Sequence, residues 1–161
     1  MEERSNYAKL ASGAIQAMYR LQKYIEDSGL EHSLIELVKI RASQINGCAY
    51  CVDMHTLDAR AMGESEQRIY LLSAWREAPF YSERERAALA WTESVTLISE
   101  SHASDEDYAA ARAEFSEQEL VDLTMAIVAI NGWNRIGISF RAQPGKYEPH
   151  QIKVTQANHE S

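Results

Sequence analysis

Two cysteines and a histidine lie within one short stretch of the chain, and their spacing suits redox chemistry. Cys48 and Cys51, the only two cysteines among 161 residues, are three positions apart, and His55 follows four positions later. On an α-helix, which turns by about 100° per residue, the three side chains share one face. Neighbouring thiols can cycle between dithiol and disulfide, and an imidazole one turn away can move the protons that this cycle requires.

The residues before the motif favour the reactive form of a thiol. Asn46-Gly47 is a strong helix stop, which places Cys48 and Cys51 in the first turn of the following helix. Unpaired N–H groups and the helix dipole favour an anion there, whereas a free thiol with a pKa of about 8.5 is mostly protonated at neutral pH. The alternative interpretation is a pair of small buried hydrophobic side chains.

Metal binding competes with the dithiol interpretation. Cys48, Cys51 and His55 offer three zinc ligands, and Glu36 is a candidate fourth. Structural zinc sites usually join two knuckles that are distant in sequence, and the chain has no second cysteine pair. Haem attachment needs C-x-x-C-H, which the valine at position 52 excludes. We therefore expect no metal and no other cofactor.

Glu36 can be explained without any chemistry. It is the fourth residue of an S-x-x-E capping box that starts at Ser33, and two further boxes start at Ser82 and Ser116. From position alone, capping is the better explanation of Glu36.

Composition limits the class of protein. The chain is 45% hydrophobic and long enough to bury a core, which predicts one folded domain over residues 1–161. The net charge of −8 and the lack of a basic stripe make nucleic acid and anionic membranes poor partners. No run approaches the ~18 consecutive apolar residues of a membrane span. Cysteines confined to one motif, in a chain without a recognisable export signal, indicate a cytoplasmic location.

Apolar residues recur at helical spacing along most of the chain, and no run alternates with the period of a strand. The sequence therefore predicts an all-α fold of about six to seven helices. The first is expected to bury a stripe that includes Leu10, Ala11, Ala14 and Ile15, and the apolar last helix is expected to be central or to form a subunit interface. Residues 142–161 are polar and are predicted to form an arm or a frayed tail.

The order and spacing of four residues resemble a known signature. The E-x11-C-x-x-C-x3-H pattern of the AhpD-like alkylhydroperoxidases is matched here by Glu36, Cys48, Cys51 and His55. These proteins belong to the carboxymuconolactone decarboxylase superfamily. The resemblance favours a functional Glu36 over one that only caps a helix.

Flanking residues extend the resemblance over about residues 30–140. LVKIRASQINGCAYCVDMHT is similar to the core block of the family, and NGWNRIGI at 131–138 is similar to its second block. Tyr50 departs from the best-known members, which have histidine there. It is a candidate pocket residue, although a packed aromatic ring is the simpler explanation. Three residues of the second block are expected at the pocket or, preferably, at a subunit interface: Trp133, Asn134 and Arg135.

The resemblance implies a thiol-dependent peroxidase built as a trimer or a hexamer of dimers. By analogy, Cys51 is the peroxidatic residue, Cys48 resolves the sulfenic acid, and His55 and Glu36 relay the proton. Dipole reasoning alone would choose Cys48 as the attacking thiol. The implied substrate is a hydroperoxide, and the implied electron donor is a lipoylated or thioredoxin-like dithiol protein.

Two other functions remain open for the sequence. A redox-sensing or stress-response protein would use the same cysteines with little turnover. A lactone-processing enzyme of the decarboxylase branch would not need the cysteine pair, so the C-x-x-C motif argues against that activity.

Overall fold

The computed structural model describes residues 2–149, and all of the regular structure in that range is helical. This confirms the all-α class. The range contains nine α-helices and a 3-10 turn at Leu72–Ala74, and the α-helices are α1 Tyr7–Leu10, α2 Ser12–Glu26, α3 His32–Asn46, α4 Ala49–Ala61, α5 Glu66–Leu71, α6 Glu83–Thr96, α7 Ile98–Ser101, α8 Asp105–Glu114 and α9 Glu117–Phe140.

The described chain has more helices than the six to seven predicted, because two expected helices are each divided. The backbone leaves helical geometry at Ala11, with φ −124° and ψ 43°, which separates α1 from α2. It does so again at Leu97, with φ −97° and ψ 39°, between α6 and α7. Neither residue is Gly or Pro, so the sequence contains no helix-breaking residue that would predict these two breaks.

Helix α3 lies at the centre of the fold. Its middle is buried on nearly every side, and it packs against α4, α6 and α9. The largest apolar cluster joins α2, α3, α6, α8 and α9. The predicted central helix, α9, also packs on several helices, but it leaves Val121, Val128 and Ile138 exposed. The helix that presents Glu36 is therefore the most enclosed one.

The apolar stripe predicted for the first helix is only partly buried. Ile15 is buried, but Leu10 is 79% exposed, and Ala11 and Ala14 are also exposed. The break at Ala11 turns α1 out of line with α2, and α2 rests on α9 along one narrow contact. The stripe prediction was therefore wrong for the N-terminal half of this segment.

Two of the three predicted capping boxes are present. The Ser82 and Ser116 hydroxyls each accept a hydrogen bond from the backbone N–H three residues on, and Glu85 and Glu119 bond back to the cap amides. The predicted box at Ser33 is absent, because the N-cap of α3 is Glu31, two residues earlier, and Ser33 already lies inside the helix. Glu36 is therefore not a capping residue.

After α9 the chain folds back over α4. The Gly145 N–H donates to Asp53 Oδ2 over 2.7 Å, and the Tyr147 hydroxyl donates to Asp58. The predicted polar tail begins in this segment, and its residues 150–161 lie outside the described residues. Within residues 2–149, none of the helices has the length and apolar character needed to cross a membrane.

Candidate active site

The end of α3 fixes the position of the cysteine pair. Gly47 adopts a left-handed conformation with φ 71°, which only glycine takes up without strain. The Cys48 N–H then bonds back to the Ser43 carbonyl over 3.0 Å, and the Gly47 N–H bonds to Gln44, as in a Schellman motif. Cys48 is the N-cap of α4, and Cys51 lies in its first turn. The predicted stop at Asn46-Gly47 is confirmed.

A disulfide joins Cys48 and Cys51, whose Cα atoms are 5.4 Å apart. Both residues are almost fully enclosed, at 1% and 2% exposure. They form a small apolar cluster with Ala42 and Ile130, and the half-buried rings of Tyr50 and Trp133 pack against it. Tyr50 is thus a packed aromatic residue beside the sulfurs, as expected.

Gly137 of α9 closes the other side of the disulfide. A Cβ atom at this position would lie 3.3 Å from Cys48 Sγ and 3.7 Å from Cys51 Sγ. The second sequence block therefore contributes to the site a glycine whose lack of a side chain leaves room for the two sulfurs. Gly137 was not predicted as a site residue, because the sequence does not show which side chain a glycine within a helix will contact.

His55 and Glu36 form the polar half of the site. His55 Nδ1 lies 2.8 Å from Glu36 Oε2, and Lys39 Nζ lies 2.8 Å from Glu36 Oε1. All three side chains are buried. Burial would raise the pKa of the Glu36 carboxyl, but the hydrogen bond from His55 and the charges of His55 and Lys39 outweigh it and hold that pKa at about 2.

The ionised Glu36 defines the tautomer of His55. A carboxylate has no proton to donate, so His55 Nδ1 donates the hydrogen bond between them. In the neutral ring, Nε2 is then the proton acceptor. His55 stands four residues after Cys51 on α4, a spacing that makes side chains neighbours on a helix surface. The arrangement therefore places a disulfide and an imidazole of fixed orientation on the same helix.

Asp58, which sequence reasoning missed, joins the same group. Oxygen or nitrogen atoms of Glu36, His55 and Asp58 lie within 4.8 Å of one another, close enough to share a metal ion. Lys39 and His55 already occupy the two Glu36 oxygens, however, and an ammonium ion there repels a metal cation. In the oxidised state the two cysteines of the zinc set weighed from the sequence are bonded to each other.

A chain of amides fastens α9 to the end of α3. Asn134 is fully buried, accepts a hydrogen bond from the Asn46 amide over 2.8 Å and donates one to Ser43 over 3.0 Å. Asn46 also donates to Asn131. Asn134 is thus a core residue and not an interface residue, contrary to expectation. Arg135 is exposed and bonds to its own helix at Asn131.

The chain matches a known protein family. The carboxymuconolactone decarboxylase family model matches residues 13–94. YdfG of Bacillus subtilis, an uncharacterized protein, is 48% identical over 139 residues, which are 86% of this chain and 95% of YdfG.

Two solved structures are similar in fold. A protein of unknown function from Agrobacterium tumefaciens, proposed to be the antioxidant defence protein AhpD, matches with a TM-score of 0.87 and 51% identity over 91% of this chain and all of its own. An alkylhydroperoxidase AhpD core protein from Ralstonia eutropha matches with a TM-score of 0.75 over 86% of this chain and 74% of its own, at 20% identity. The chain therefore belongs to the carboxymuconolactone decarboxylase family and has the AhpD-like fold.

Proposed function

We propose that this protein is a thiol-dependent peroxidase that reduces organic hydroperoxides. The observation that carries the proposal is the Cys48–Cys51 disulfide on the helix that also carries His55, whose ring is oriented by the ionised Glu36. A neutral imidazole with a fixed tautomer is the usual partner of a nucleophile that must lose a proton. The 51% identity with the Agrobacterium tumefaciens protein, which is proposed to be the antioxidant defence protein AhpD, supports the same assignment.

In the proposed reaction, His55 Nε2 takes the proton of the Cys51 thiol, and the thiolate attacks one peroxide oxygen. The O–O bond breaks, the leaving alkoxide takes the proton back from His55, and Cys51 becomes a sulfenic acid. The Cys48 thiol then displaces water from that sulfenic acid and forms the disulfide. The two thiols supply both electrons, so the balance needs no cofactor.

The surroundings of the sulfurs favour an apolar substrate. The rings of Tyr50 and Trp133 pack against the cysteine cluster, and the sulfurs are enclosed by apolar atoms. A hydroperoxide with a hydrocarbon group would bury that group against these rings, whereas hydrogen peroxide would gain nothing from them. We therefore expect organic hydroperoxides to react faster than hydrogen peroxide.

The catalytic cycle requires a dithiol donor, which we propose is a lipoylated or thioredoxin-like protein. A cytoplasmic location would supply such a donor. We also propose a homo-oligomer, a trimer or a hexamer, because the N-terminal helices expose apolar side chains such as Leu10 and Tyr19 that a second copy would cover. Sedimentation of the purified protein tests the assembly directly.

The function is tested on reduced protein treated with one equivalent of cumene hydroperoxide. Loss of both thiols, with a mass decrease of two hydrogens, is the expected result. Two unchanged thiols would refute the peroxidase proposal. Rapid oxidation without turnover in the presence of a dithiol donor would instead favour a redox sensor.

Single cysteine variants separate the two sulfur roles. Cys51→Ser should abolish peroxide reduction, whereas Cys48→Ser should stop at a sulfenic acid on Cys51, which dimedone would label. Full turnover in both variants would eliminate the dithiol mechanism. Lactone decarboxylation that survives loss of both cysteines would place the protein in the decarboxylase branch instead.

A further inference from the structure

The C-terminal segment brings a second carboxylate to the His55 and Glu36 pair. Asp58 lies one turn after His55 on α4, and its carboxylate lies within 4.8 Å of ligand atoms of both residues. The Tyr147 hydroxyl is 2.8 Å from Asp58 Oδ1 and 3.1 Å from Oδ2, so it lies against both oxygens. Both side chains are partly buried.

The charges around Asp58 determine its state. The pKa of the Asp58 carboxyl is raised on balance: burial raises it most and the charge of Glu36 also raises it, whereas the Tyr147 hydrogen bond and the charges of His55 and Lys39 lower it. Tyr147 itself has a raised pKa, from burial and from its bond to Asp58, so it remains a neutral donor. The Asp58 ligand atom lies within 4.8 Å of those of His55 and Glu36, a separation that one bridging water can span.

We propose that Asp58 is a positioning residue of the proton relay and that Tyr147 holds it in place. While His55 carries the thiol proton, the ring is a cation, and the Asp58 carboxylate adds a second negative charge beside the one on Glu36. The charge favours the state in which the proton has moved from the thiol to the ring. This inference rests on the thiol chemistry proposed above, although it concerns only proton transfer from the thiol and needs no peroxide.

The proposal predicts the direction in which the thiol titration moves. A carboxylate that acted on the sulfur alone would oppose thiolate formation, so its removal would shift the thiolate midpoint to lower pH. A carboxylate that stabilises the His55 cation has the opposite effect, and its removal shifts the midpoint to higher pH. The sign of the shift therefore separates a relay role from simple repulsion.

The test follows the ultraviolet absorbance of the thiolate in reduced protein as the pH rises, with the variant lacking both cysteines as the blank. Asp58→Asn should reduce the thiolate fraction at a fixed acidic pH by about tenfold, the low end of the effect of one nearby charge. Tyr147→Phe should act in the same direction by a smaller factor. Asp58→Glu keeps the charge and should restore most of the wild-type profile.

Asp53→Ala is the matched control for the C-terminal segment. It removes the acceptor of the Gly145 N–H, which is a separate bond between this segment and α4, and it leaves Asp58 and Tyr147 intact. It should not raise the midpoint. An equal rise in Asp53→Ala and Tyr147→Phe would mean that anchoring of the segment, and not the Tyr147 hydroxyl, causes the effect.

The remaining outcomes are also decisive. A downward shift or no shift in folded Asp58→Asn, with a native circular dichroism spectrum, would overturn the role of Asp58. If Asp58→Asn does not fold, the Asp58→Glu and Tyr147→Phe profiles decide, and a wild-type profile in Tyr147→Phe overturns the proposal. A titration that shifts as expected in a protein inert to cumene hydroperoxide would refute the peroxidase function and leave this inference standing.

Discussion

Replacing Glu36 by Gln should destabilise the protein by about 3 kcal/mol at neutral pH. The variant keeps the shape of the side chain but removes the charge that Lys39 and His55 share. The Glu36 and Lys39 side chains are only 9% and 11% exposed. An ammonium ion left at such depth without its partner costs about 3 to 5 kcal/mol.

The pKa of Glu36 gives an independent magnitude. A fall from an ordinary value of 4.5 to about 2 corresponds to roughly 3 kcal/mol of folding free energy. Because the folded-state pKa is the lower one, this stability is complete above about pH 4.5 and is lost as the pH falls towards 2. Less than half of it should remain at about pH 3.

Urea unfolding of the oxidised protein, followed by tryptophan fluorescence between about pH 7 and pH 3, measures the difference between wild type and Glu36→Gln. The difference should shrink on acidification, because wild-type Glu36 becomes protonated and then resembles glutamine. A difference that stays constant across this range, or one below about 1 kcal/mol at neutral pH, would contradict the assignment of Glu36 as a buried ion.

Glu119→Gln is the matched control for that experiment. Backbone and side-chain bonds from Ser116, with Arg84 beside it, also hold the pKa of Glu119 at about 2. The Glu119 side chain is 38% exposed, however, so solvent screens its ion pair with Arg84. Glutamine can still cap the helix, and the variant should lose less than about 1 kcal/mol. Equal losses in the two variants would show that burial is not what makes Glu36 important.

Three further experiments test the site and its supports. Gly137→Ala should lower the free energy of unfolding by about 1 to 2 kcal/mol, because the new methyl group meets Cys48 Sγ at 3.3 Å. Gly13→Ala is its control: the new methyl group has no atom within 4 Å, so this variant should gain about 0.5 kcal/mol. Thermal denaturation of the oxidised proteins compares the two variants. Asn134→Ala leaves the buried Ser43 hydroxyl without its donor and removes one of the two acceptors of the Asn46 amide, so it should cost about 1 to 3 kcal/mol in urea; unchanged stability would mean that water replaces the amide. Dialysis against a strong chelator should leave peroxide turnover unchanged, and a loss that zinc restores would revive the metal interpretation.

Short-range features of this fold could be predicted from the sequence. The starts at Ser82 and Ser116 and the stop at Gly47 depend on residues within a few positions, so a local pattern is enough to recognise them. The same pattern at Ser33 predicted a third cap and was wrong. There the carboxylate of Glu36 bonds to Lys39 and to His55 on the next helix, and contacts with another helix outweigh a local preference.

Features that depend on distant residues could not be predicted in this way. Gly137 approaches Cys48, and Tyr147 approaches Asp58, only because α9 and the segment after it fold back over α4. The exposure of Leu10 likewise reflects the helix break at Ala11, which could not be predicted because no glycine or proline occurs at that position. The spacing of the cysteines and histidine was enough to predict a candidate redox site, but the residues that enclose and support the site could be identified only from the fold.

The geometry bears on which cysteine attacks. Dipole reasoning favoured Cys48, the residue nearest the helix start, but Cys48 is the N-cap itself, and its N–H already bonds to Ser43. Cys51 lies inside the first turn, where the helix dipole still favours an anion, and His55 follows it by four residues, so the two side chains are neighbours on α4. Cys48 is seven residues from His55, and its sulfur is the one that packs more closely against Gly137. These positions support the proposal that the Cys51 thiol delivers its proton to the His55 ring and that Cys48 resolves the sulfenic acid.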